Sequence, residues 1–399
     1  MSEHPAARAA EARPWYVPMT ARRPDEGGRV STPLELLFDL CFVVAVAQGA
    51  AGLDHAIVEN HVASGVVHYL MVFFAIWWAW MNFTWFASAY DNDDVPYRLT
   101  VLVQIAGSLV MAAGIPRWFD GGGNVVIVIG YVIMRLAMVT QWLRAARADP
   151  PRRRTDLRYA VGVTVVQVYW LVLLWAPEGF RVVGFATAVI AELAVPLIAE
   201  RGNMTTFHPH HIAERYGLFT VIVLGESVTA ATLAFKGALD DTDGGTLIGL
   251  AVAGVVILFC LWWVYFDHED NPRLDSPRSS FIWGYGHYFV FAAAAAVGAG
   301  LVVAVSYQRE LAEGIGQTLA SAATTVPVAV YLVVVAALRA RPGRSRLIAW
   351  AVNGAAVLVL ATSFLPASLY VTAAVLAGLV LVLIVSTRTR VGAPVGEAG

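Results

Sequence analysis

Cysteine is nearly absent from this chain. Cys41 and Cys260 are the two it has, both inside apolar stretches, so the sequence offers neither a disulfide framework nor a metal-ligand spacing. Charge is also scarce, at 14% of 399 residues, where soluble domains carry about a quarter. There is no nucleophile–base pair and no repeated Asp-rich lipid-phosphate motif, which weighs against an enzyme working inside a membrane on a lipid or prenyl substrate. A cleavable leader is not expected either, because the first apolar run begins after some thirty polar, Pro- and Arg-rich residues and continues as a full span.

Apolar length fills the space left by charge. Hydrophobic residues make up 58% of the chain and mean hydropathy is +0.64. Runs long enough to cross a bilayer recur from 33–53 and 62–88 to 347–365 and 369–387, twelve in all. The expected fold is an all-α polytopic integral membrane protein. The last two runs are separated by Pro366 to Ser368 alone, and a re-entrant hairpin is the alternative there.

The basic residues test that count. With a cytoplasmic N-terminus, alternate loops collect 22 of the 27 Lys and Arg residues, the opposite side holds 4, and Arg135 is left inside a helix. The asymmetry predicts an even number of crossings with both termini in the cytoplasm. It also explains the Arg-rich loops without nucleic acid. The expected parts are a mobile cytoplasmic arm over 1–32, two six-helix units over 33–200 and 201–388, and a tail over 389–399. A bilayer is the required partner, no cofactor is called for, and homo-oligomerisation stays open.

Ionisable residues at depth are the candidate site, since a charge in hydrocarbon costs roughly 2.5 kcal/mol or more unless it is paired or neutralised. Within 211–228, HIAERYGLFTVIVLGESV, Arg215, Phe219, Ile222 and Glu226 share a helix face, with His211 and Glu214 at its mouth and Ser227 beside the deep carboxylate. Glu35 and Asp39 stand one turn apart in the first span, where Glu35 is expected to reach the headgroup layer. Arg135 and Glu192 are central in the fourth and sixth spans, and Arg135 is expected to pair with Glu192 or Glu226 where helix seven meets the first unit. Three buried acids against one deep Arg would leave a surplus suited to a proton or cation path.

Several other features have duller readings. Trp77, Trp78, Trp80 and Trp85 are expected in an interfacial belt. Asp91, Asp93 and Asp94 have spacing that could hold a hard cation but lack the glycine and distal Glu of a calcium loop. His208, His210 and His211 straddle a Pro and lack a second ligand pair, so no metal site is assigned. Ala292, Ala296 and Gly300 form a close-packing face.

ELLFDLCFVVAVAQ from Glu35 aligns with ERYGLFTVIVLGES from Glu214, and WWAWMNF from Trp77 with WWVYFDH from Trp262, at offsets of 179 and 185 residues. Acids follow each Trp pair, at 91–94 and 267–270. This pattern predicts a duplicated six-helix unit with both halves in the same orientation.

ELLFDLCFVVAVAQ, the D-N-D-D-x-x-Y-R-L run at 91–99 and the string from His211 to Ser227 together resemble the bacterial low temperature requirement A (LtrA) family. That resemblance implies a polytopic membrane protein linked by name to growth in the cold, without a settled activity. Leu-Phe-Asp-Leu at 37–40 is more weakly similar to the first helix of potassium-permeable channels with paired six-helix repeats, but Leu34 stands where those carry Arg. The leading expectation is a transporter or channel for protons, cations or a small solute. The alternatives are a non-catalytic membrane factor for cold or envelope stress and, behind it, a lipid-modifying enzyme. For topology, a thiol introduced near Arg152 should react only with reagent reaching the cytoplasm, and one near Asp241 only with reagent outside. The reverse result at either position refutes the orientation.

Overall fold

In a computed structural model the described residues are 15–22, 30–239, 244–267, 276–312, 314–340 and 346–391. They form twelve α-helices: α1 (Pro33–Val58), α2 (Val62–Tyr90), α3 (Val95–Phe119), α4 (Val125–Ala148), α5 (Arg153–Leu173), α6 (Glu178–Ala199), α7 (Pro209–Leu239), α8 (Gly244–Phe266), α9 (Pro277–Gln308), α10 (Gln317–Leu338), α11 (Arg346–Thr362) and α12 (Ser368–Val391). Ten are long and apolar enough to cross a membrane. The other two are α11, with 17 residues, and α7, which carries Glu214, Arg215, Glu226 and Lys236. The chain is therefore a multi-pass helical membrane protein.

Local chemistry starts the helices where the charged site will be needed. Pro33 opens α1 with φ already helical, the Thr32 hydroxyl accepts the Glu35 N–H, and the Glu35 carboxylate reaches back to the Thr32 N–H at 2.8 Å. Asp94 caps α3 by accepting the Tyr97 N–H at 2.8 Å. The N-terminal ends of α1 and α3 thus lie beside the C-terminal ends of α2 and α4, at the end of the bundle where the Arg-rich loops gather.

Close approach of backbones holds the bundle together. A Cβ on Gly130 of α4 would strike the Met111 N and Gly107 O of α3, and one on Gly300 of α9 would strike the Ala323 carbonyl of α10. Gly300 thereby bears out part of the expected close-packing face, and α9 is the most enclosed span. Helix order also recurs: the neighbours α1/α2, α1/α3, α3/α4, α4/α5 and α5/α6 have counterparts in α7/α8, α7/α9, α9/α10, α10/α11 and α11/α12. The halves part ways at α2 and α8. α8 packs on α12, while α2 is drawn inward against α4, α7 and α9.

That difference corrects the expected aromatic belt. From Ile76 to Tyr90 every residue of α2 except Trp85 is buried, so Trp77, Trp78 and Trp80 are core side chains. Trp262 and Trp263, which align in sequence with Trp77 and Trp78, are 45% and 38% exposed. The N-terminal arm differs from expectation as well. Over residues 15–22 it is held to the bundle: Val17 N–H donates to Asp94 at 2.9 Å, Arg22 N–H to the Ala89 carbonyl at 2.8 Å, and Met19 is buried. Asp241 and the acids at 268–270 lie outside the described residues.

Gly130→Leu should overpack the α3–α4 crossing and cost about 1–3 kcal/mol, read as a lower thermal midpoint in detergent. Gly225→Ala meets no described atom within 4 Å and should leave the midpoint unchanged or slightly higher.

Candidate functional site

Two charge networks lie inside the bundle, and α2 separates them. The first joins α1 to α7. Arg215 forks onto Asp39, with Nη2 at 2.6 Å from Oδ1 and Nε at 3.2 Å from Oδ2, while its Nη1 lies 3.0 Å from Glu35 Oε1. His211 Nε2 is 3.2 Å from the same Glu35 oxygen, and Trp80 Nε1 donates to Asp39 Oδ1 at 2.7 Å. Glu35, Asp39, His211 and Arg215 are each 1% exposed or less. Helical spacing makes the match: Glu35 and Asp39 are i, i+4 on one helix, His211 and Arg215 are i, i+4 on the other, and each pair presents a single face. Glu35 is therefore part of the site, its carboxylate enclosed by protein where a side chain reaching out of the bundle was expected. Arg215 is a buried counter-ion about two turns in, and it removes the surplus expected from Asp39.

The second network surrounds Glu192. Arg135 Nη2 lies 3.0 Å from Oε2, and Trp78 Nε1 donates to that oxygen at 2.8 Å. Tyr131, Gln167 and Trp170 donate to Oε1 at 2.7, 3.2 and 3.3 Å. Five donors around one carboxylate fix its position. The expected Arg135–Glu192 pair is present, but it is enclosed by α2, α4, α5 and α6 of the first half, away from α7. Arg135 Nε and Nη1 have no hydrogen-bond partner among the described residues, so the guanidinium keeps donors for another acceptor.

Adjacent turns of α2 thus serve opposite sides. Trp78 and Trp80 are two residues apart, about 200° around the helix axis, and each donates its indole N–H to a different buried carboxylate. Cavities approach the Glu192 network from both ends of the bundle. One, of about 50 Å³, is lined by Tyr131 and Trp170, which bind Glu192 directly. The other, also of about 50 Å³, opens at the Arg-rich end and is lined by Asn82 and Tyr285. Asn82 donates to the Trp78 carbonyl at 2.8 Å, and the Tyr285 ring stands edge-on to Trp78 at 5.6 Å.

The remaining candidates are dispersed. Glu226 is half-exposed at the margin of the buried face of α7, with no hydrogen-bond or ion-pair partner among the described residues. It does not meet Arg135. The Ser227 hydroxyl donates to the Ala294 carbonyl of α9 at 3.1 Å, and Glu214 accepts the Ser31 N–H at 3.2 Å. Asp93 takes a fork from Arg98 at 2.7 and 2.9 Å, Asp94 takes Arg144 at 2.6 Å, and Asp91 accepts the Asp93 N–H at 3.1 Å. These acids brace the Arg-rich end.

The string from His211 to Ser227 that supplies the first network lies within a longer match. The family model of the bacterial low temperature requirement A protein (LtrA) matches residues 30–387. The chain belongs to the LtrA family. An uncharacterized protein of Rhizobium meliloti (strain 1021) is 27% identical over 271 residues, covering 63% of this chain and 64% of the relative's length. In this LtrA protein Asp39, Glu35, His211 and Arg215 all fall inside the matched region.

Reading the sequence missed the aromatic donors Trp78, Trp80, Tyr131 and Trp170 because an indole or phenol N–H or O–H in an apolar run looks the same facing lipid or facing a carboxylate. The pairing of α1 with α7 had a signal, the two i, i+4 pairs of opposite charge. Removing one member of the deep pair should be costly: Arg135→Gln and Glu192→Gln should each destabilise by about 3–5 kcal/mol, and the double variant should recover much of the loss. Unfolding in detergent measures this, and strictly additive losses would contradict the pairing.

Proposed function

We propose that this LtrA protein moves protons, cations or a small solute across the membrane, and that the Glu35–Asp39–His211–Arg215 network is where a proton is taken up. The observation that carries the reading is the enclosure of several ionisable groups together: Glu35, Asp39, His211 and Arg215 are buried to 1% exposure or less, with the His211 imidazole against Glu35 and Arg215 against both carboxylates. Changing the charge of one enclosed group there costs several kcal/mol, so proton occupancy and the docking of α1 on α7 are linked. Cavities reaching the Glu192 network from opposite ends support passage through the first half, with Arg135 offering donors between them. Glu226, eleven residues beyond Arg215 and about 16 Å further along the helix, is a second titratable group on the path.

Two finer points belong to the same reading. The Arg-rich end faces the cytoplasm, with both termini there and the protein in the inner membrane, as the 22 to 4 asymmetry implies. The recurring neighbour order reflects a duplicated six-helix unit in which α2 became central and α8 stayed peripheral, giving twelve crossings.

The competing reading is a membrane factor in which both networks only clamp helices. Its support is the saturation of Glu192 by five donors. Proteoliposomes separate the two. Asp39→Asn removes an ionisable group from the site while leaving Arg215 its contact with Glu35, so the variant should fold yet lose flux by about tenfold or more, equivalent to roughly 1.4 kcal/mol on the barrier. A folded wild type that passes no proton, sodium or potassium under any imposed gradient overturns the transport reading in favour of the clamp.

A further inference from the structure

Glu226 is a mid-span carboxyl that neither charge network takes up. It stands near the middle of α7 (Pro209–Leu239), half-exposed, with no hydrogen-bond or ion-pair partner among the described residues. Ionisable groups at that depth almost always pair, commonly with one another, because hydrocarbon offers them nothing.

The surroundings of Glu226 show where a partner can come from. The face of α7 that meets α1 through His211 and Arg215 continues along the helix as Leu218, Ile222, Gly225 and Thr229, at three- and four-residue spacing. α1 covers the first part of this face. Further along it is open: Val221, Gly225 and Thr229 are exposed, and Leu218 and Ile222 are partly so. A Cβ at Gly225 would meet no atom within 4 Å, so the backbone of another helix can approach there. Lipid chains satisfy Leu218, Val221 and Ile222 but give the adjoining carboxyl no hydrogen bond.

A second copy of the chain supplies what lipid cannot. Two copies inserted the same way carry Glu226 at the same depth, and a twofold axis along the membrane normal beside this face brings residue 226 of one copy against residue 226 of the other. A protonated carboxyl is donor and acceptor at once, so two of them can exchange a pair of hydrogen bonds. A cationic partner would instead carry its own desolvation cost to the same depth. We propose that the open strip of α7 is a homodimer interface, closed by hydrogen bonds between Glu226 and Glu226 of the second copy. Association of this kind goes beyond the transport reading and is measured without flux, so either can fail while the other stands.

Single-molecule photobleaching of the labelled full-length protein in lipid vesicles, over a series of protein-to-lipid ratios, tests it. The wild type should bleach in two steps down to low density. Glu226→Gln should remain dimeric, because an amide is also donor and acceptor, whereas Glu226→Leu should dissociate at least tenfold more readily. Leucine suits hydrocarbon, so the Leu variant should keep its fold, checked by an unchanged thermal midpoint. With Cys41 and Cys260 replaced by Ala, Gly225→Cys should form an intermolecular disulfide on oxidation in the bilayer, and Val165→Cys, exposed on α5, should not. A wild type that is monomeric at every density, a Leu variant as dimeric as the wild type, a Gln variant as dissociated as the Leu variant, or equal cross-linking at the two positions overturns the interface.

Discussion

A guanidinium buried two turns inside α7 sets the terms for the rest of this structure. Arg215 cannot be enclosed without counter-charge, and among the described residues the acids that meet it are Asp39 and Glu35 on α1. This pins α1 against α7 across 176 residues of chain. Once that pair is in place, Trp80 must turn its indole toward Asp39, α2 must lie between the halves, and Trp78 on its far side is left facing Glu192. The central position of α2 follows from satisfying buried charge, and the aromatic core follows from α2.

The same requirement explains how polar groups are distributed along the bundle. Carboxylates at depth are met by donors that are themselves apolar over most of their surface, Trp and Tyr, which pair with them while packing in the aromatic core. Carboxylates at the Arg-rich end use Arg98, Arg144 and backbone N–H groups, where long cations can also reach water. Asp94 does several jobs at once there, capping α3, holding Arg144 and fixing the N-terminal segment through Val17. Residues 15–22 are held by that carboxylate together with Asn92 on the Val17 carbonyl and the Arg22–Ala89 backbone bond.

The two networks differ in how their acids are held. Glu192 takes five donors from α2, α4, α5 and α6, whereas Asp39 and Glu35 on α1 share Arg215 of α7, with His211 against Glu35 and Trp80 on Asp39. The first ties one set of neighbouring helices together, and the second joins helices far apart in the chain.

The class of this protein was legible from sequence, because the hydrophobic thickness of a bilayer sets a run length that any apolar helix must meet, and loops sort their Arg residues by side. The depth of Arg135 and Glu192 was legible for the same reason: rise per residue converts position into depth, and an Arg at mid-span has few partners at its own level. Azimuth was not. Whether Glu226 or Glu192 would meet Arg135, whether Trp78 faced lipid or a carboxylate, and whether Arg215 lay at the surface or against Asp39 depended on how each helix is rotated about its axis. In a segment apolar on every side the sequence carries almost no signal for that rotation, since lipid and protein core accept the same residues. Packing against other helices decided it, through glycine contacts such as Gly130 on Met111 and through the need of each buried charge for a partner that lies far away in the chain.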